Sequence, residues 1–562
     1  MEKVKEFFAD KTSKMTKNDW IILGIITLIY AVISFIRLGS FTNPQTFSEY
    51  RQGESIIIEV EGDAKYISKM RHFSGEDTGT YKLYTSADGT EYRELATVKD
   101  ETVFFWKDTS ISQTIKYIKL ELTTNIGYIG EIGLYDQDGN LVGLTAISEK
   151  DKMLVDEQDT IPETISHMNS VYFDEVYFPR TAYDYLHGMK AYEWVHPPLG
   201  KLIQMIPMIF MGMTPFAYRL MGNLAGILMV AVIYVLGKSM FKDSKYAMLA
   251  GLIMAFDNFH FAQTRMGTVD SFLVLFIMLS ALFMYKYLLL NKEDPLKQKL
   301  KYLFYSGLFF GCSVAVKWTG LYAGLGLCIM FFGKMIKDCI QARKFDKEYL
   351  KIMLACVLYF IIIPCAIHVV CYLSFPNIQP NGVYSIGDIF KQIEQMYTYH
   401  STLVAEHPFT SNWYTWPIMQ KPVWLHVSYP ADGMKSTIVG LGNPAIWWVG
   451  ILGMIFVAFR TIKNTKMEDI FMTIMILTSW LPYALIGRIM FMYHFFPTLP
   501  FVMLTIVALI QQLDKLTKRN WIMIAYIILI IVMFWVFYPV TSGVTMTMEQ
   551  VKNFLWLKTW YF

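Results

Sequence analysis

The sequence predicts a polytopic α-helical membrane protein, with about eleven spans and one inserted all-β domain of jelly-roll type. Of its 562 residues, 54% are hydrophobic and 17% are charged, and the mean hydropathy is +0.34. This composition is too apolar for a soluble multidomain protein. The formal net charge of +3 gives no reason to expect a nucleic-acid partner, because in membrane proteins the location of basic residues matters more than their sum.

The first apolar segment, 20–38, follows a polar stretch that contains several lysines. It is roughly long enough to cross a bilayer and has no small-residue cleavage site, so it predicts a retained span and not a signal peptide. The lysines predict a cytoplasmic amino terminus. We therefore expect residues 1–40 to form this terminus and the first span.

The polar region 41–165 predicts an external domain. Asp-Gly pairs at 88–89 and 138–139 are typical turn signals. Several segments have the length and composition of strands, so we expect a β-sandwich. These segments are Ile56–Val60, Tyr81–Thr85, Ile115–Leu122 and Ile132–Tyr135.

Three stretches of this region, Tyr81–Tyr92, Ile115–Leu122 and Ile129–Tyr135, resemble the discoidin domain, also called the coagulation factor 5/8 type C domain. Members of that family often bind carbohydrates or lipid headgroups at loop tips. The matching positions are mainly core and turn residues. The resemblance therefore implies a glycan-binding module or a structural spacer equally.

The remaining region, 166–562, predicts a transmembrane domain with a long external loop at 374–440. Basic residues cluster in alternate connections, which marks those connections as cytoplasmic. The β domain, the acidic pair Asp174-Glu175 and the carboxyl-terminal tail are then external. The further spans are expected near 217–240, 245–257, 268–290, 301–316, 318–335, 351–373, 441–460, 469–486, 488–511 and 521–540.

The six cysteines lie in apolar segments or, for Cys339, in a lysine-rich connection. Their positions indicate small buried hydrophobic residues. Neither a disulfide framework nor a metal-ligand spacing is evident. We expect no metal site from this pattern.

Ionisable residues gather in the segment 171–201. Asp174 and Glu175 are adjacent, so they cannot flank a scissile bond as a glycosidase pair does. One of them can act as a general base, or both can be loop acids or helix-start charges. His196 and Lys201 can bind a phosphate, although a turn-capping histidine and a lysine that reaches from the membrane to the interface are the more common explanation for either residue alone.

Polar and ionisable residues in or beside spans are costly and are therefore candidates for function. Arginine binds two phosphate oxygens with its planar fork, whereas lysine acts as a point charge. Pairing of Arg265 with Asp270 is a structural alternative. Trp413–Trp424 can form an aromatic wall or an interfacial anchor. The candidates are Arg219, Asp257, Asn258, Arg265, Asp270, Lys317, Arg488 and His494.

Six groups of residues, in order along the chain, resemble motifs of the dolichyl-phosphate-mannose protein O-mannosyltransferases and their bacterial relatives. That family consists of lipid-carrier-dependent glycosyltransferases of the GT-C type. The match covers the transmembrane region and the external loop, but not residues 41–165. The groups are Phe173–Val176 with His196–Lys201, Asp257–Ser271, Val316–Leu321, Trp413–Trp424, Gly442–Trp448 and Arg488–Pro497.

The resemblance implies transfer of a mannose-like hexose, with inversion, from a polyprenyl phosphate to a hydroxyl acceptor. Asp174 matches the family's catalytic base, and Glu175 its neighbour that arranges donor or acceptor. The implied ligands of the donor phosphate are Arg219, Arg265, Arg488, Lys201 and His494. The implied pocket residues are His196, Asp257, Asn258, Asp270, Lys317, Trp318 and Trp416. No cofactor is implied beyond the donor, and dependence on a divalent metal stays open.

The sequence departs from the family at two places, and these departures bear on the identity of the acceptor and on the organism of origin. The loop 374–440 has no room for the β-trefoil repeats of eukaryotic members, and a different β domain precedes Asp174. We therefore expect an enzyme of the bacterial plasma membrane that uses an undecaprenyl-type carrier, with a protein, a glycan or a lipid as acceptor. A lipid or glycan flippase and a glycan-binding membrane sensor are the alternatives.

Overall fold

The computed structural model describes residues 14–343 and 347–562, with the side chain of Ile378 excepted. The chain forms two compact units. The first comprises the chain up to Ile36, Asp184–Met205 and Arg219–Phe562, and the second comprises Arg37–Tyr183 and Ile206–Tyr218. The β region therefore shares its unit with the segment that carries Asp174.

The second unit contains two antiparallel sheets with strand orders β1-β8-β3-β6 and β5-β4-β7-β2-β9. The strands are β1 Ser48–Arg51, β2 Ser55–Val60, β3 Lys65–Ser74, β4 Thr80–Ser86, β5 Arg93–Lys99, β6 Trp106–Ile115, β7 Tyr117–Leu122, β8 Ile126–Tyr135 and β9 Leu144–Ala146.

The core of this domain follows the period of two that a half-buried strand requires. In β7, Ile118, Leu120 and Leu122 are buried, and the residues between them are only partly buried. Gly89 and Gly139 adopt φ values of +79° and +82°, which suit the turns that their Asp-Gly pairs predict. The expected all-β domain is confirmed, and its resemblance to discoidin domains stays a prediction.

The rest of the chain is mainly helical, as its apolar segments predict. The helices are Lys17–Phe35, Phe178–His187, Leu199–Met211, Pro215–Phe241, Ser244–Ala255, Asn258–Thr264, Asp270–Leu288, Leu296–Val316, Gly320–Ala342, Glu348–Leu373, Ile386–Thr402, Pro444–Asn464, Met467–Trp480, Leu499–Thr517, Trp521–Ser542 and Met548–Lys552. A small antiparallel sheet adds β10 Val423–Ser428, β11 Met434–Gly440 and β12 Thr545–Thr547.

Seven helices among the described residues are long and apolar enough to cross a membrane. They are Lys17–Phe35, Pro215–Phe241, Asp270–Leu288, Glu348–Leu373, Pro444–Asn464, Leu499–Thr517 and Trp521–Ser542. The multi-pass membrane class is therefore confirmed. The other expected spans also coincide with helices, and the count of eleven stays a prediction.

Buried polar contacts tie the first helix to its neighbours. Thr16 and Asp19 form a capping box at its start. The Asp19 carboxylate also accepts a hydrogen bond from the Tyr234 hydroxyl at 3.0 Å and pairs with Lys238 Nζ at 3.1 Å. Because a carboxylate buried without partners is costly, these contacts fix the first helix against Pro215–Phe241.

Candidate active site

A cavity of about 660 Å³ lies in the first unit. Four parts of the chain line it: the turn at 195–197, residues 317–322, the end of helix Ile386–Thr402, and residues 483–488. Two cationic side chains and two imidazoles face this space. They are Lys317, Arg488, His196 and His400.

Arg488 is the cavity cation with uncommitted donors. Its side chain is half-buried. Among residues 14–343 and 347–562, no carboxylate pairs with its guanidinium and no acceptor takes a hydrogen bond from it. Its planar fork therefore retains its capacity to bind two oxygens of an anion.

Lys317, in contrast, is already paired. Its Nζ lies 2.9 Å from Asp270 Oδ1, and both side chains are buried to 10% exposure or less. The ammonium also lies 5.7 Å from the ring centre of Tyr493. Asp270 thus pairs with Lys317 and not with Arg265, and this pair leaves a nearly neutral wall beside Arg488.

The predicted phosphate ligand Lys201 is fully buried beneath the cavity turn. Its Nζ donates hydrogen bonds to the Glu193 carboxylate at 2.7 Å and to the backbone oxygens of Glu193 and His196 at 2.7 and 2.9 Å. All three donors of the ammonium are thereby used. Lys201 supports the turn in this structure, and phosphate binding by Lys201 stays a prediction.

Glu193 orients His196, which lines the cavity. The two side chains meet at 2.8 Å between Oε1 and Nδ1. Burial opposes ionisation of Glu193, but Lys201 and His196 nevertheless hold its pKa at about 2. Burial lowers the pKa of His196, so its ring is neutral at neutral pH.

His400 holds the opposite wall. Its Nε2 lies 2.9 Å from the Val195 backbone oxygen, and its ring packs edge-on against His196 with centres 5.4 Å apart. Burial lowers its pKa to about 4, which leaves the ring neutral. Helix Ile386–Thr402 is thereby fastened to the His196 turn.

An apolar groove of about 720 Å³ adjoins the cavity. Trp318, Leu321 and Tyr397 line both spaces. The rest of the groove is formed almost entirely by apolar side chains, including Phe310, Phe360, Pro364, Ile389 and Phe390. The cavity that contains Arg488 and the apolar groove therefore share one wall.

The second unit carries the acidic pair in a short 3-10 turn, Phe173–Val176. Asp174 is half-buried, whereas Glu175 is completely buried and accepts a hydrogen bond from the Tyr172 backbone N–H at 3.1 Å. Phe173 has φ +50°, a region that bulky residues rarely adopt. Glu175 thus supports the turn, and its predicted role in arranging substrates is not tested by this contact.

Asp257 and Asn258 hold helices together in this structure. Asp257 caps helix Asn258–Thr264 and accepts hydrogen bonds from Asn443 N–H and Trp447 Nε1, each at 3.0 Å. Asn258 Nδ2 donates to the Phe534 backbone oxygen at 3.0 Å. Neither residue lines the cavity described above, so their predicted place in the pocket stays a prediction.

Arg265 makes long-range contacts with the backbone of the first helix. Its guanidinium donates to the backbone oxygens of Ser34 and Ile36, at 3.0 and 2.5 Å, at the end of the first helix. Arg219 is fully buried in helix Pro215–Phe241. Burial and the nearby charge of Arg219 lower the pKa of His426 to about 3. Phosphate binding by Arg219 and Arg265 stays a prediction.

Trp416 and His494 pack against each other. Trp416 is 1% exposed, its Nε1 donates to Ser411 Oγ at 3.1 Å, and its ring stacks on His494 with centres 6.0 Å apart. His494 lies in the 3-10 turn Met492–Phe495 and is hydrogen-bonded to Phe491. Trp416 is therefore an internal residue, in contrast to an interfacial anchor.

Glu193, His400 and Tyr397 were not predicted from the sequence. Glu193 stands three residues before His196, a spacing that could have suggested a carboxylate–imidazole pair. His400 and Tyr397 lie in the amphipathic helix Ile386–Thr402 of the loop 374–440. Nothing local in that helix indicates that its end forms a cavity wall.

Three carboxylates of the β domain lie close enough together to hold a cation. Ligand atoms of Glu131, Asp156 and Glu157 are all within 4.8 Å of one another. Glu131 is fully buried and accepts hydrogen bonds from Glu157 N–H and from Gln158 Nε2. Glu157 also accepts hydrogen bonds from the backbone N–H groups of Gln45 and Thr46, so contacts within the β domain hold these carboxylates.

Two family models match the chain. Residues 160–375 match the dolichyl-phosphate-mannose-protein mannosyltransferase model, and residues 386–560 match the C-terminal four-transmembrane region of protein-O-mannosyltransferase. Polyprenol-phosphate-mannose–protein mannosyltransferases are similar: that of Mycolicibacterium smegmatis is 22% identical over 69% of this chain and 87% of its own, and that of Corynebacterium glutamicum is 21% identical over 65% and 81%.

A solved structure shares the fold. The S. cerevisiae protein O-mannosyltransferase Pmt1–Pmt2 complex, bound to the sugar donor, aligns over 70% of this chain and 89% of the matched chain. The TM-score is 0.62 at 14% sequence identity. This similarity supports the GT-C architecture.

Proposed function

The chain belongs to the protein O-mannosyltransferase family, and we propose that it transfers mannose from a polyprenyl phosphate to hydroxyl groups of a protein acceptor. It is a glycosyltransferase of the GT-C type. The particular sugar, carrier and acceptor are part of the proposal. The acceptor is proposed to be serine or threonine, with a surface glycan as the competing acceptor.

The observation that carries the donor assignment is the shared wall of the cavity and the apolar groove. A polyprenyl-phosphate sugar has an anionic head, a polar sugar and a long apolar tail. The cavity offers the uncommitted guanidinium of Arg488, and the groove offers aromatic and aliphatic side chains. An amphiphile with this order of parts fits the two spaces, with Trp318 and Tyr397 at their boundary.

The chemistry needs little beyond a base and a cation. A lipid phosphate leaves without a general acid, and a cation aimed at the departing phosphate stabilises the charge that develops. We assign that task to Arg488, and Lys317, which pairs with Asp270, is proposed to line the substrate pocket beside it. Arg219, Arg265, Lys201 and His494 are proposed to act around the same phosphate as supporting charges or positioning residues.

Asp174 is proposed as the general base. An acceptor hydroxyl is a poor nucleophile until it is deprotonated, and a positioned base contributes roughly 10²- to 10⁴-fold in rate. Attack on the face opposite the phosphate inverts the anomeric centre. Glu175 is proposed to keep the Asp174 turn in shape, which agrees with its hydrogen bond to Tyr172 N–H.

The protein is a multi-pass membrane protein. We propose that it lies in a bacterial plasma membrane, with a cytoplasmic amino terminus. The alternation of basic connections along the sequence supports this orientation. The β domain, the Asp174 turn and the loop 374–440 are then external.

Reconstituted protein tests the proposal directly. Purified protein in lipid nanodiscs is incubated with mannosyl-labelled polyprenyl phosphate and a serine- and threonine-rich peptide, and the peptide is analysed by mass spectrometry. We expect hexose on hydroxyl side chains, and no transfer from GDP-mannose. Transfer to a glycan alone would overturn the protein acceptor, and no transfer from any polyprenyl-phosphate sugar would overturn the donor class.

A further inference from the structure

The inserted β domain holds the chain just before Asp174. We call residues 166–183 the Asp174 segment. Val171 N–H donates to the Phe104 backbone oxygen at 3.3 Å, and Trp106 N–H donates to Ser170 Oγ at 3.2 Å. Phe104 and Trp106 belong to the β domain, so its chain runs directly against the start of the turn.

A buried ion pair holds the Asp174 segment on the other side of Asp174. The guanidinium of Arg180 reaches Glu76 Oε1 with Nη2 at 3.2 Å and Nε at 3.3 Å. The two side chains are only 9% and 15% exposed. Because removal of one partner of a buried pair leaves the other charge uncompensated, we expect the loss of either side chain to loosen this contact.

Aromatic packing adds an apolar anchor beside the ion pair. The ring of Tyr183 lies edge-on to Phe104 and to Phe47, with centres 5.3 and 6.2 Å apart. Phe47 and Phe104 also pack edge-on against each other at 5.8 Å. Such geometry is favourable beyond the area that it buries.

The β-domain loops that make these contacts are joined to each other. Glu76 follows β3, and Phe104 precedes β6. Phe104 N–H donates to the Gly75 backbone oxygen at 3.1 Å, and Asp100 N–H donates to the Gly79 oxygen at 2.9 Å. These backbone hydrogen bonds join the loop after β3 to the loop before β6 at the same end of their strands.

The turn between the two anchors has a backbone that needs outside support. Phe173 sits at φ +50°, a conformation that costs a bulky residue free energy and persists only where surroundings impose it. Tyr177 N–H closes the turn on the Asp174 backbone oxygen at 3.0 Å. The anchors at 170–171 and 180–183 bracket this turn on both sides.

We propose that the β domain is a positioning device that fixes the Asp174 turn through the Glu76–Arg180 ion pair and the Phe47–Phe104–Tyr183 cluster. Glu76 and Arg180 are positioning residues, since they act through the backbone of the turn. The inference rests on the proposed function, which makes Asp174 the base. If the β domain were only a spacer or a glycan-binding module, removal of the Glu76–Arg180 ion pair would not change kcat.

Amide hydrogen exchange of the full-length protein in nanodiscs tests whether the β domain holds the Asp174 turn, and it does not depend on an activity assay. In Glu76→Gln and Arg180→Gln we expect the amides of Val171 and Tyr177 to exchange faster by about tenfold or more. Amides of the central strand β7 should keep wild-type protection, which shows that the domain is folded. Glu94→Gln is the matched control, because Glu94 pairs with Lys82 at an exposed site of the same domain.

Kinetics test the catalytic consequence. A small misplacement of a catalytic group can cost about 10²-fold in rate, so we expect kcat to fall by up to that factor in Glu76→Gln and Arg180→Gln. The KM for the polyprenyl-phosphate donor should stay within about twofold, because the cavity is unchanged. Arg180→Lys, which keeps the charge, should retain more activity than Arg180→Gln.

The outcomes distinguish the positioning role of the β domain from the proposed function of the enzyme. Wild-type exchange in both charge-removing variants, or faster exchange with unchanged kcat, overturns the positioning role. An equal loss in Glu94→Gln also overturns it, because any charge removal on the domain would then suffice. A wild-type protein that transfers no sugar contradicts the proposed function and the catalytic consequence, while exchange still decides whether the β domain holds the turn.

Discussion

Nδ1 of His196 lies 2.8 Å from Oε1 of Glu193, and the other carboxylate oxygen of Glu193 lies 2.7 Å from Nζ of Lys201. One buried carboxylate thus satisfies a cation on one side and orients a cavity-lining imidazole on the other. The spacing of His196 and Lys201 reflects this shared partner. In this motif, Glu193 and Lys201 support the cavity wall, and His196 is the side chain that faces the cavity.

Removal of the Glu193 charge should destabilise the protein. In Glu193→Gln the Lys201 ammonium stays buried without its counter-charge, and breaking a buried pair in this way costs about 3–5 kcal/mol. We expect a lower thermal unfolding midpoint in detergent. Glu193→Gln combined with Lys201→Met should recover part of the loss, whereas exposed Glu91→Gln should match wild type. A wild-type midpoint for Glu193→Gln alone would show that the pair is not needed for stability.

Arg488 should control donor affinity. A hydrogen bond to a charged group contributes about 1.5–3 kcal/mol, so Arg488→Gln should raise the donor KM or lower kcat/KM by roughly 10- to 100-fold. Stability should change little, because no described residue pairs with this guanidinium. Exposed Arg519→Gln is the control, and steady-state transfer assays are the measurement. Equal kinetics of the two variants would remove Arg488 from the phosphate site.

The apolar groove should matter only for donors with long tails. Phe390 lines the groove and is 68% exposed, so Phe390→Ser removes tail contacts without opening a core. We expect a donor KM several-fold higher for an undecaprenyl phosphate sugar and an unchanged KM for a donor with one or two isoprene units. Phe459→Ser, at a residue 56% exposed elsewhere, is the control. The same change for both donors would place the tail outside the groove.

Glu131 should make the stability of the β domain depend on pH. Burial, with Asp156 and Glu157 nearby, raises its pKa from 4.5 to about 8. The folded state therefore holds this proton more tightly, and the resulting stability, present below pH 4.5, is lost as pH rises through about 8. Each pKa unit is worth about 1.4 kcal/mol.

Glu131→Gln mimics the protonated form and should gain stability over wild type as pH rises from 5 to 9. Thermal unfolding of both proteins in EDTA is the measurement, because the three carboxylates could otherwise hold a cation. A stability difference that is independent of pH would show that Glu131 does not titrate in this range.

The apolar segments and the Asp-Gly turns predicted the fold well because their signals are local. Most expected spans coincide with helices, although the helix expected at 488–511 begins only at Leu499, and Gly89 and Gly139 have the positive φ that their turns need. Partners of buried charges were less predictable, since they depend on tertiary contacts. Asp270 pairs with Lys317 across 47 positions, while Arg265 reaches the end of the first helix.

The candidate site was predicted in part for the same reason. Four of the sequence candidates, His196, Lys317, Trp318 and Arg488, line one cavity, which agrees with a shared site without testing it. Asp257 carries a motif of the same family, yet in this structure it joins helices through Trp447 and Asn443. Motif membership alone does not separate groups that contact substrate from groups that hold the scaffold. The assignment of each to a substrate stays a prediction.

The central claim is tested most directly by the transfer rate of labelled mannose from polyprenyl phosphate by Asp174→Asn beside wild type. Asparagine keeps the size of the side chain but cannot take the acceptor proton, so we predict a kcat lower by roughly 10²- to 10⁴-fold with little change in donor KM. Asp63→Asn, at an exposed turn, should behave as wild type. Wild-type kcat in Asp174→Asn would contradict the assignment of Asp174 as the base.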